Sequence, residues 1–248
     1  MAGAREIETA VRRTTGAIRA LLAAGALLAG AARAAQAQET TRELWPEIDA
    51  YVRLSSAARL FLVAAPVISG DARTLSEQQL GANIEVGISP IQAYRRRKAF
   101  DADKLRYLRA RLGYWRIGIH DSSGWSLSER RLVAEITPRA FLPLDVLVAL
   151  RGRVDFRWLE AGYSWRPRLR LWLERETDVG PVVFVPYVSA ETFYDSRYDA
   201  WSRNYYQAGV AVPVTHWLVP EVYYGRQIDR EPSAKTVNAL GVLVTFYF

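Results

Sequence analysis

The last thirteen residues of the chain, Thr236 to Phe248, constrain its fold more than any other segment. From Leu240 onward the even positions carry Leu, Val, Val, Phe and Phe, while the odd positions are smaller or more mixed. Successive side chains of a β-strand point to opposite faces, so the even positions form one continuous apolar row. The segment therefore predicts a β-strand with one strongly apolar face, which either a sandwich core or a membrane could cover.

The first residues of the chain predict export. Four arginines between Arg5 and Arg19 precede an Ala- and Leu-rich stretch from Ala20 to Ala32, and Ala35-Gln36-Ala37 follows. A basic leader, a short apolar core and an A-x-A site together predict a signal peptide over residues 1–37, cleaved after Ala37. Residues 38–248 then form the mature domain. An N-terminal membrane anchor is the alternative, but the apolar core is short for a span of about 20 residues.

Composition excludes several classes of function for this domain. The full chain has a formal charge of +7, and the five Arg and two Glu of the leader reduce it to +4. This excess is mild and an exported protein meets little nucleic acid, so we expect no nucleic-acid partner. The chain has no cysteine and only two histidines, far apart in sequence, so we expect neither a metal nor a cofactor. Beyond the leader no stretch of 18 apolar residues predicts a transmembrane helix.

Segments of alternating polarity, each about ten residues long, follow one another through the mature domain. Val146 to Trp158 is typical, since Val148, Leu150 and Val154 face one way and charged residues such as Arg151 face the other. The length suits a strand that crosses a bilayer at a tilt. Short connections at Pro138–Pro143, Asp178–Gly180 and Pro213–His216 alternate with longer polar loops, which we expect to face outside, at Asp71–Gln79, Asp195–Ser202 and Asp229–Lys235.

The pattern predicts an all-β fold, an antiparallel transmembrane β-barrel over residues 38–248. Eleven segments can be read as strands, with a further strand open at Ile91–Phe100, and single-chain bacterial barrels have an even number. Twelve strands are therefore predicted, with ten as the alternative. Alternation alone would also fit a β-sandwich, but the signal peptide, the terminal Phe and the abundant aromatics favour the barrel. Six tryptophans fall near predicted strand ends, where a membrane interface would hold them: Trp45, Trp115, Trp158, Trp165, Trp201 and Trp217.

The chain resembles the short outer-membrane β-barrel proteins of unknown function found in proteobacteria. The resemblance rests on Leu44-Trp45, on the Arg-x-Arg pairs at Arg151 and Arg168, and on the segments from Pro186 to Tyr194 and Asn204 to Gly209. It implies a Gram-negative outer-membrane location and a barrel fold, without an established activity. The C-terminal strand is similar to the recognition signal of such barrels. Phe246 and Phe248 would then contact the barrel-assembly machinery, and outer-membrane lipid would be the other partner.

The polar faces of the strands are predicted to line a charged lumen. Arginines and carboxylates are nearly balanced on neighbouring strands, which favours cross-strand ion pairs that fill a narrow interior. A salt-bridged barrel with a structural or interaction role is therefore predicted. A small, porin-like pore that prefers anions is the alternative, since rings of Arg select anions. The predicted lumen residues are Arg109, Arg111, Glu135, Arg151, Arg153, Arg168, Arg170, Glu174, Glu191 and Glu221.

A catalytic role rests on one short segment. His120-Asp121-Ser122, with Glu135 further along, distantly resembles lipid A deacylases of the outer membrane, in which Ser attacks an acyl ester and His acts as the base. The Asp-Ser-Ser-Gly run that begins at Asp121 is also ordinary loop chemistry, and the region His120–Ser128 is predicted as a loop. A lipid-modifying esterase is therefore a second alternative, and no catalytic residue is assigned.

Overall fold

Twelve β-strands account for most of the part of the chain that the structure describes. This computed structural model describes residues 39–70, 74–88, 106–121, 124–180 and 182–248. A three-residue 3-10 turn lies at Pro143–Asp145, and no helix in these ranges is long and apolar enough to cross a membrane. The strands are β1 (Glu39–Arg53), β2 (Ala58–Ser69), β3 (Thr74–Ile88), β4 (Leu108–Asp121), β5 (Gly124–Leu142), β6 (Val146–Leu159), β7 (Gly162–Arg175), β8 (Thr177–Val179), β9 (Val182–Asp195), β10 (Ala200–Ala211), β11 (Leu218–Asp229) and β12 (Lys235–Tyr247).

Eleven of these strands close into a barrel. Sequential neighbours pair antiparallel from β1 to β7, β7 then pairs with β9, and the order continues to β12. The wall closes where β12 pairs with β1 in parallel, in register from Glu39 opposite Lys235 to Tyr51 opposite Tyr247. The short β8 pairs only with β9 and stays outside the wall. The predicted all-β barrel is therefore confirmed.

The strand count agrees with the prediction of twelve, but only eleven of the twelve described strands belong to the wall. Each antiparallel neighbour reverses the direction of the chain, so an odd number of wall strands makes the first and the last run the same way. A parallel seam is the necessary result. The barrel consequently has a Phe248 mouth, where β12 ends, and a Glu39 mouth, where β1 begins.

The described strands do not show the predicted alternation of short turns and longer loops, since nineteen residues separate β3 from β4 at the Phe248 mouth and two separate β4 from β5 at the Glu39 mouth. The predicted short turns at residues 138–143, 178–180 and 213–216 are all near the Phe248 mouth, but two are wrong in extent, because β5 covers residues 138–142 and β8 covers Asp178 and Val179. The predicted polar loops lie at the Glu39 mouth. Two of the predicted loops are wrong in extent. β3 begins at Thr74, inside the predicted loop Asp71–Gln79, and strands β4 and β5 cover most of the predicted loop His120–Ser128. Polar side chains near the Glu39 mouth extend along strands there, so polarity overstates loop length.

The wall of the barrel has apolar residues outside and polar residues inside. On β12, Leu240 and Val242 are 52% and 38% exposed, whereas Val237 and Ala239 are 2% and 1% exposed. This is the alternation that the C-terminal segment predicts, with the large apolar row outside. Other strands repeat it with exposed apolar residues that include Ile48, Leu62, Leu80, Ile84, Leu112, Leu132, Ile136, Leu150, Leu169, Leu171 and Val222.

The interior also holds one small apolar cluster, where Phe61, Val63, Trp115 and Val133 pack together. Trp115 donates a hydrogen bond from Nε1 to Oδ1 of Asn83 at 2.9 Å. Its position inside the barrel corrects its predicted place in an interfacial girdle. Trp45 also belongs to the interior, where its ring lies 5.6 Å from that of Tyr205. Both tryptophans occupy the inward phase of their strands, and alternation outweighs their position near a strand end.

Glycines on the inner face allow aromatic rings to lie flat against the wall. The ring of Tyr223 covers Gly241, and the Tyr205 ring covers Gly225, where an added Cβ would lie 2.8 Å from the tyrosine hydroxyl. A glycine without a side chain admits such close approach, and an aromatic ring shields the exposed backbone. These pairs fill the β10–β12 side of the interior.

Gly241→Ala is expected to lower the free energy of unfolding by about 1–3 kcal/mol, because the new methyl group would overlap the buried Tyr223 ring. Chemical denaturation followed by tryptophan fluorescence measures the loss. Gly152→Ala is the matched control, since its Cβ would meet Ile136 Cγ2 at an ordinary 3.7 Å. The control should stay within about 0.5 kcal/mol of wild type. Equal losses in the two variants would contradict the packing argument.

Candidate functional site

The interior face of β4 to β7 carries a dense group of arginines. They alternate with residues that point outward, as on β6, where Arg151, Arg153 and Arg157 face in and Leu150 and Trp158 are exposed. Carboxylates from β3, β5, β6 and β9 reach the same space. The interior arginines that pair with these carboxylates are Arg59, Arg109, Arg111, Arg131, Arg151, Arg153, Arg157, Arg166, Arg168 and Arg170.

Glu191 is a heavily paired carboxylate. It accepts from Arg151 Nη2 at 2.7 Å, from Arg168 Nε at 2.8 Å and from Arg170 Nη2 at 2.5 Å. Its side chain is 0% exposed. One carboxylate therefore joins three arginines from β6 and β7, and Arg168 also lies 4.3 Å from the centre of the Phe193 ring. A buried carboxylate with three charged donors has its oxygens fully used.

Glu85 and Glu135 form a second centre beside β4. Glu85 accepts from Arg59 at 2.6 Å and from Arg111 at 2.5 Å. Glu135 lies between Arg109 and Arg111, at 3.7 and 3.9 Å, and is 0% exposed. Arg151 bridges this centre to Glu191, because its Nη1 lies 3.8 Å from Glu135. The two centres thus form one continuous network.

Asp155 and Glu129 continue the network toward the Glu39 mouth. Asp155 accepts from Arg153 at 2.6 Å and is 0% exposed, and Arg157 joins Glu129 to Asp195 with contacts of 2.7 and 2.9 Å. Every carboxylate of the group contacts at least two arginines. The side chains therefore neutralise one another across seven strands, β2 to β7 and β9.

The side of the interior formed by β9 to β12 and β1 is built from tyrosines and acids. Tyr187 donates a hydrogen bond to Glu221 and accepts one from Gln207 Nε2 at 2.8 Å. Tyr187 is only 3% exposed and stacks on Trp172 at 4.1 Å. Trp172 in turn donates to Glu174 at 2.8 Å. Rings and hydrogen-bonded acids therefore fill most of this half, where Arg203 of β10 also pairs with Asp229 of β11 at 2.5 Å.

A recess of about 200 Å³ opens at the Phe248 mouth. Tyr51, Tyr247 and His216 line it together with Glu85 and Arg109, which belong to the ion-pair network. His216 is exposed at the rim, in the turn before β11. Among the described residues, no group of three or more His, Cys, Asp or Glu side chains could hold a metal ion.

The structure brings the predicted lumen residues together. All ten lie at inward positions on strands from β4 to β11, and they contact one another or the interior tyrosines and tryptophans. Phe246 lies in β12, and its ring is 6.2 Å from both Trp217 and Phe248, the latter 71% exposed. Ala37 and the predicted signal peptide, like the whole segment Ile91–Phe100, lie outside the described residues.

The residues of the catalytic alternative do not meet. Glu135 is buried in the interior, opposite Arg111 of β4. His120 is exposed and lies nine residues beyond Arg111 on β4, opposite Trp125 of β5. That separation is about 30 Å along the strand. Ser122 lies outside the described residues. Glu135 is therefore too far from His120 to orient it as a catalytic base.

Sequence reasoning left Arg59, Arg166, Glu129 and Asp195 out of the lumen. Arg166, Glu129 and Asp195 lie near the Glu39 mouth, where the predicted strands end too early, and Arg59 is a single charge in an otherwise apolar segment. All four residues occupy inward positions in the same alternation of inward and outward side chains that identifies their neighbours. Extending the strands until the alternation fails would have found Arg166, Glu129 and Asp195, whereas Arg59 lies inside the predicted segment, where both faces are otherwise apolar.

Comparisons with known proteins give a distant likeness only. No family model matches the chain, and no curated protein matches it. Among solved structures, the chain is similar to the beta domain of the Bordetella autotransporter BrkA. The likeness has a TM-score of 0.40 and 14% sequence identity, and covers 76% of this chain and 83% of that chain. The resemblance to short proteobacterial outer-membrane proteins therefore stays a prediction.

Proposed function

We propose that the chain is an integral outer-membrane β-barrel with a closed, salt-bridged interior and a structural or surface-interaction role. One observation carries the membrane part of this proposal, namely the reversed polarity of the wall. Large apolar side chains such as Leu112 and Leu150 are 58% and 43% exposed, while Asp155 and Glu191 are 0% and 3% exposed. Water favours the opposite arrangement, and lipid favours this one.

The exposed apolar side chains form a belt of membrane dimensions. On β5 the outward positions from Leu132 to Leu142 carry no charge, and on β4 the same holds from Leu108 to Tyr114. Strands of about 9–11 residues cross a bilayer when tilted. Aromatic residues border the belt toward both mouths, with Trp158, Trp165 and Trp201 toward Glu39 and Trp217 toward Phe248. Such borders are typical of a membrane interface.

The location follows from the same features together with the predicted signal peptide. An exported chain that crosses a bilayer with β-strands belongs in an outer membrane. The predicted contact of Phe246 and Phe248 with the assembly machinery would place the Phe248 mouth on the periplasmic side. The loops at the Glu39 mouth would then face outside, where they are available for surface interactions.

The closed interior is argued from burial. A water-filled channel exposes the side chains that line it, yet Glu135, Asp155 and Glu191 have 0% exposed side chains, and Arg111 and Arg153 have 7% and 5%. The ion pairs and rings occupy the space that an ion would need. Barrels of this size have little free cross-section to begin with.

Membrane insertion is tested by refolding. The mature chain should fold in detergent into a form that migrates differently on an electrophoresis gel before and after heating, and it should fractionate with outer membranes. A chain that stays folded and soluble without detergent would contradict the proposal.

The refolded wild-type barrel is expected to give no discrete current steps in planar bilayers, because its interior arginines are held by carboxylates. The arginine-rich wall on β4 to β7 favours an anion-preferring pore as the second candidate. The same bilayer recording distinguishes the closed barrel from the anion-preferring pore. Steps with anion preference, reduced by Arg151→Gln with Arg170→Gln, would establish the pore and contradict the closed barrel.

A further inference from the structure

Two arginines face each other on the outside of the barrel. Arg116 on β4 and Arg130 on β5 are partners in register, and both side chains are exposed. Their outward direction follows from the alternation, since Tyr114 and Leu132 next to them are exposed at 45% and 37%. Like charges directly opposite each other on a sheet destabilise the pair of strands.

Neither arginine has a counter-charge within the part of the chain that the structure describes. No ion pair or hydrogen bond of either side chain to a described residue is present. Leu80 is the neighbour of Arg116 on β3, and Trp158 is the neighbour of Arg130 on β6. Glu160, in the turn just beyond β6, forms no ion pair with them. The interior arginines with which this pair contrasts are neutralised by carboxylates at 2.5 to 3.9 Å.

The pair lies at the edge of the apolar belt. Outward positions on the Phe248 side of it are apolar, whereas toward the Glu39 mouth the regular alternation of β5 ends just beyond Arg130, at a β-bulge between Glu129 and Leu127. Trp158, in register with Arg130, lies 5.7 Å from Tyr163 in an aromatic pair of the kind found at membrane interfaces. The two guanidinium groups are therefore level with lipid head groups rather than with acyl chains.

We propose that Arg116 and Arg130 together bind a phosphate group of a membrane lipid in the leaflet next to the Glu39 mouth. This inference rests on the proposed membrane function. Guanidinium groups bind phosphate through parallel, charge-assisted hydrogen bonds, and two of them facing one point can share its oxygens. The phosphate supplies the negative charge that the wall lacks, and Trp158 beside the pair would pack against the head group.

The test measures lipid retained by the refolded barrel. The wild type and the double variant Arg116→Gln/Arg130→Gln are each titrated with diphosphoryl lipid A in detergent, and bound lipid is counted by native mass spectrometry. Wild type should bind at least about tenfold more tightly than the variant, as expected for losing charged hydrogen bonds. Dephosphorylated lipid A should bind both proteins equally weakly.

Arg42→Gln is the matched control, because Arg42 is an exposed arginine on the outward face of β1 near the same mouth and faces Asn238 instead of a second arginine. It should bind lipid A as the wild type does. Equal binding of the phosphorylated and dephosphorylated lipids, or full binding by the double variant, would overturn the lipid site. Equally tight binding of inorganic phosphate alone would assign the pair to a free anion and also overturn it.

Failure of this inference can be told from failure of the proposed function. Both arginine variants should show the same heat-dependent gel migration as the wild type, since neither side chain holds the barrel together. A barrel that folds in detergent but shows no dependence on phosphate loses the lipid site alone. A chain that does not fold in detergent at all loses both proposals.

Discussion

Glu191→Gln is expected to lower the free energy of unfolding by about 3–5 kcal/mol, because it leaves three buried arginines with only part of their counter-charge. Glu191 accepts hydrogen bonds from Arg151, Arg168 and Arg170 at 2.5 to 2.8 Å inside the barrel. Gln keeps the size of the side chain but removes its charge and one of its two acceptor oxygens. The loss is therefore electrostatic and not a cavity effect.

Urea titration of the protein folded in detergent, read by gel migration without heating, measures this loss. Glu160→Gln makes the same chemical change in the exposed turn after β6 and should shift the free energy by less than about 0.5 kcal/mol. A Glu191→Gln barrel as stable as the control would show that the arginines find water or other partners. The closed interior would then be wrong, since only an accessible interior could solvate them.

Conductance of the same variant adds a second reading. With Glu191 neutralised, Arg151, Arg168 and Arg170 lose the carboxylate that they share, and the middle of the barrel becomes positive. If the variant folds, any current that it passes should prefer anions. Cation preference would contradict the placement of these arginines in the interior.

The sequence predicted which face of each strand points out of the barrel far better than it predicted the course of the chain. Alternation around Arg151 and Arg168 is a local property with a period of two, so it can be read without knowing any neighbour. The inner and outer rows of β12, from Val237 to Val242, follow directly from it. The number of strands was nearly right for the same reason.

The partners of the interior charges could not be read in this way. Glu191 lies on β9, yet it meets arginines of both β6 and β7, because side chains reach across the interior and strand register sets their heights. Register depends on turn geometry and strand tilt, which alternation does not encode. The sequence predicted an antiparallel barrel and missed the parallel direction of the β1–β12 seam for a related reason, since alternation assigns sides but gives no direction along the barrel.

Local signals also misplaced individual residues. Trp115 was predicted at the interface from its nearness to a strand end, but its inward phase puts it against Asn83 and Gly81. The pairing of Arg116 with Arg130 needed the register of the β4–β5 hairpin. Both arginines are visible in the sequence, but only the register makes them a pair.

The reversed polarity of the wall can be tested with a single charged residue. Leu112→Arg is expected to cost about 2–4 kcal/mol of unfolding free energy, because Leu112 lies among outward apolar residues on β4 and a charge there would enter hydrocarbon. Its register neighbours on the outer face are Ile84 on β3 and Ala134 on β5. The measurement is urea unfolding after refolding into phospholipid vesicles.

A second leucine, as exposed as Leu112, is the control for the effect of exposure alone. Leu144 is 58% exposed, as Leu112 is, but it lies in the 3-10 turn at the Phe248 mouth. Leu144→Arg should cost no more than about 1 kcal/mol, the value for charges near the interface. If water covered the wall, both substitutions would be nearly neutral, as surface changes in soluble proteins are. A large difference between two equally exposed leucines therefore identifies lipid as the medium around Leu112, and equal small effects would exclude the membrane barrel.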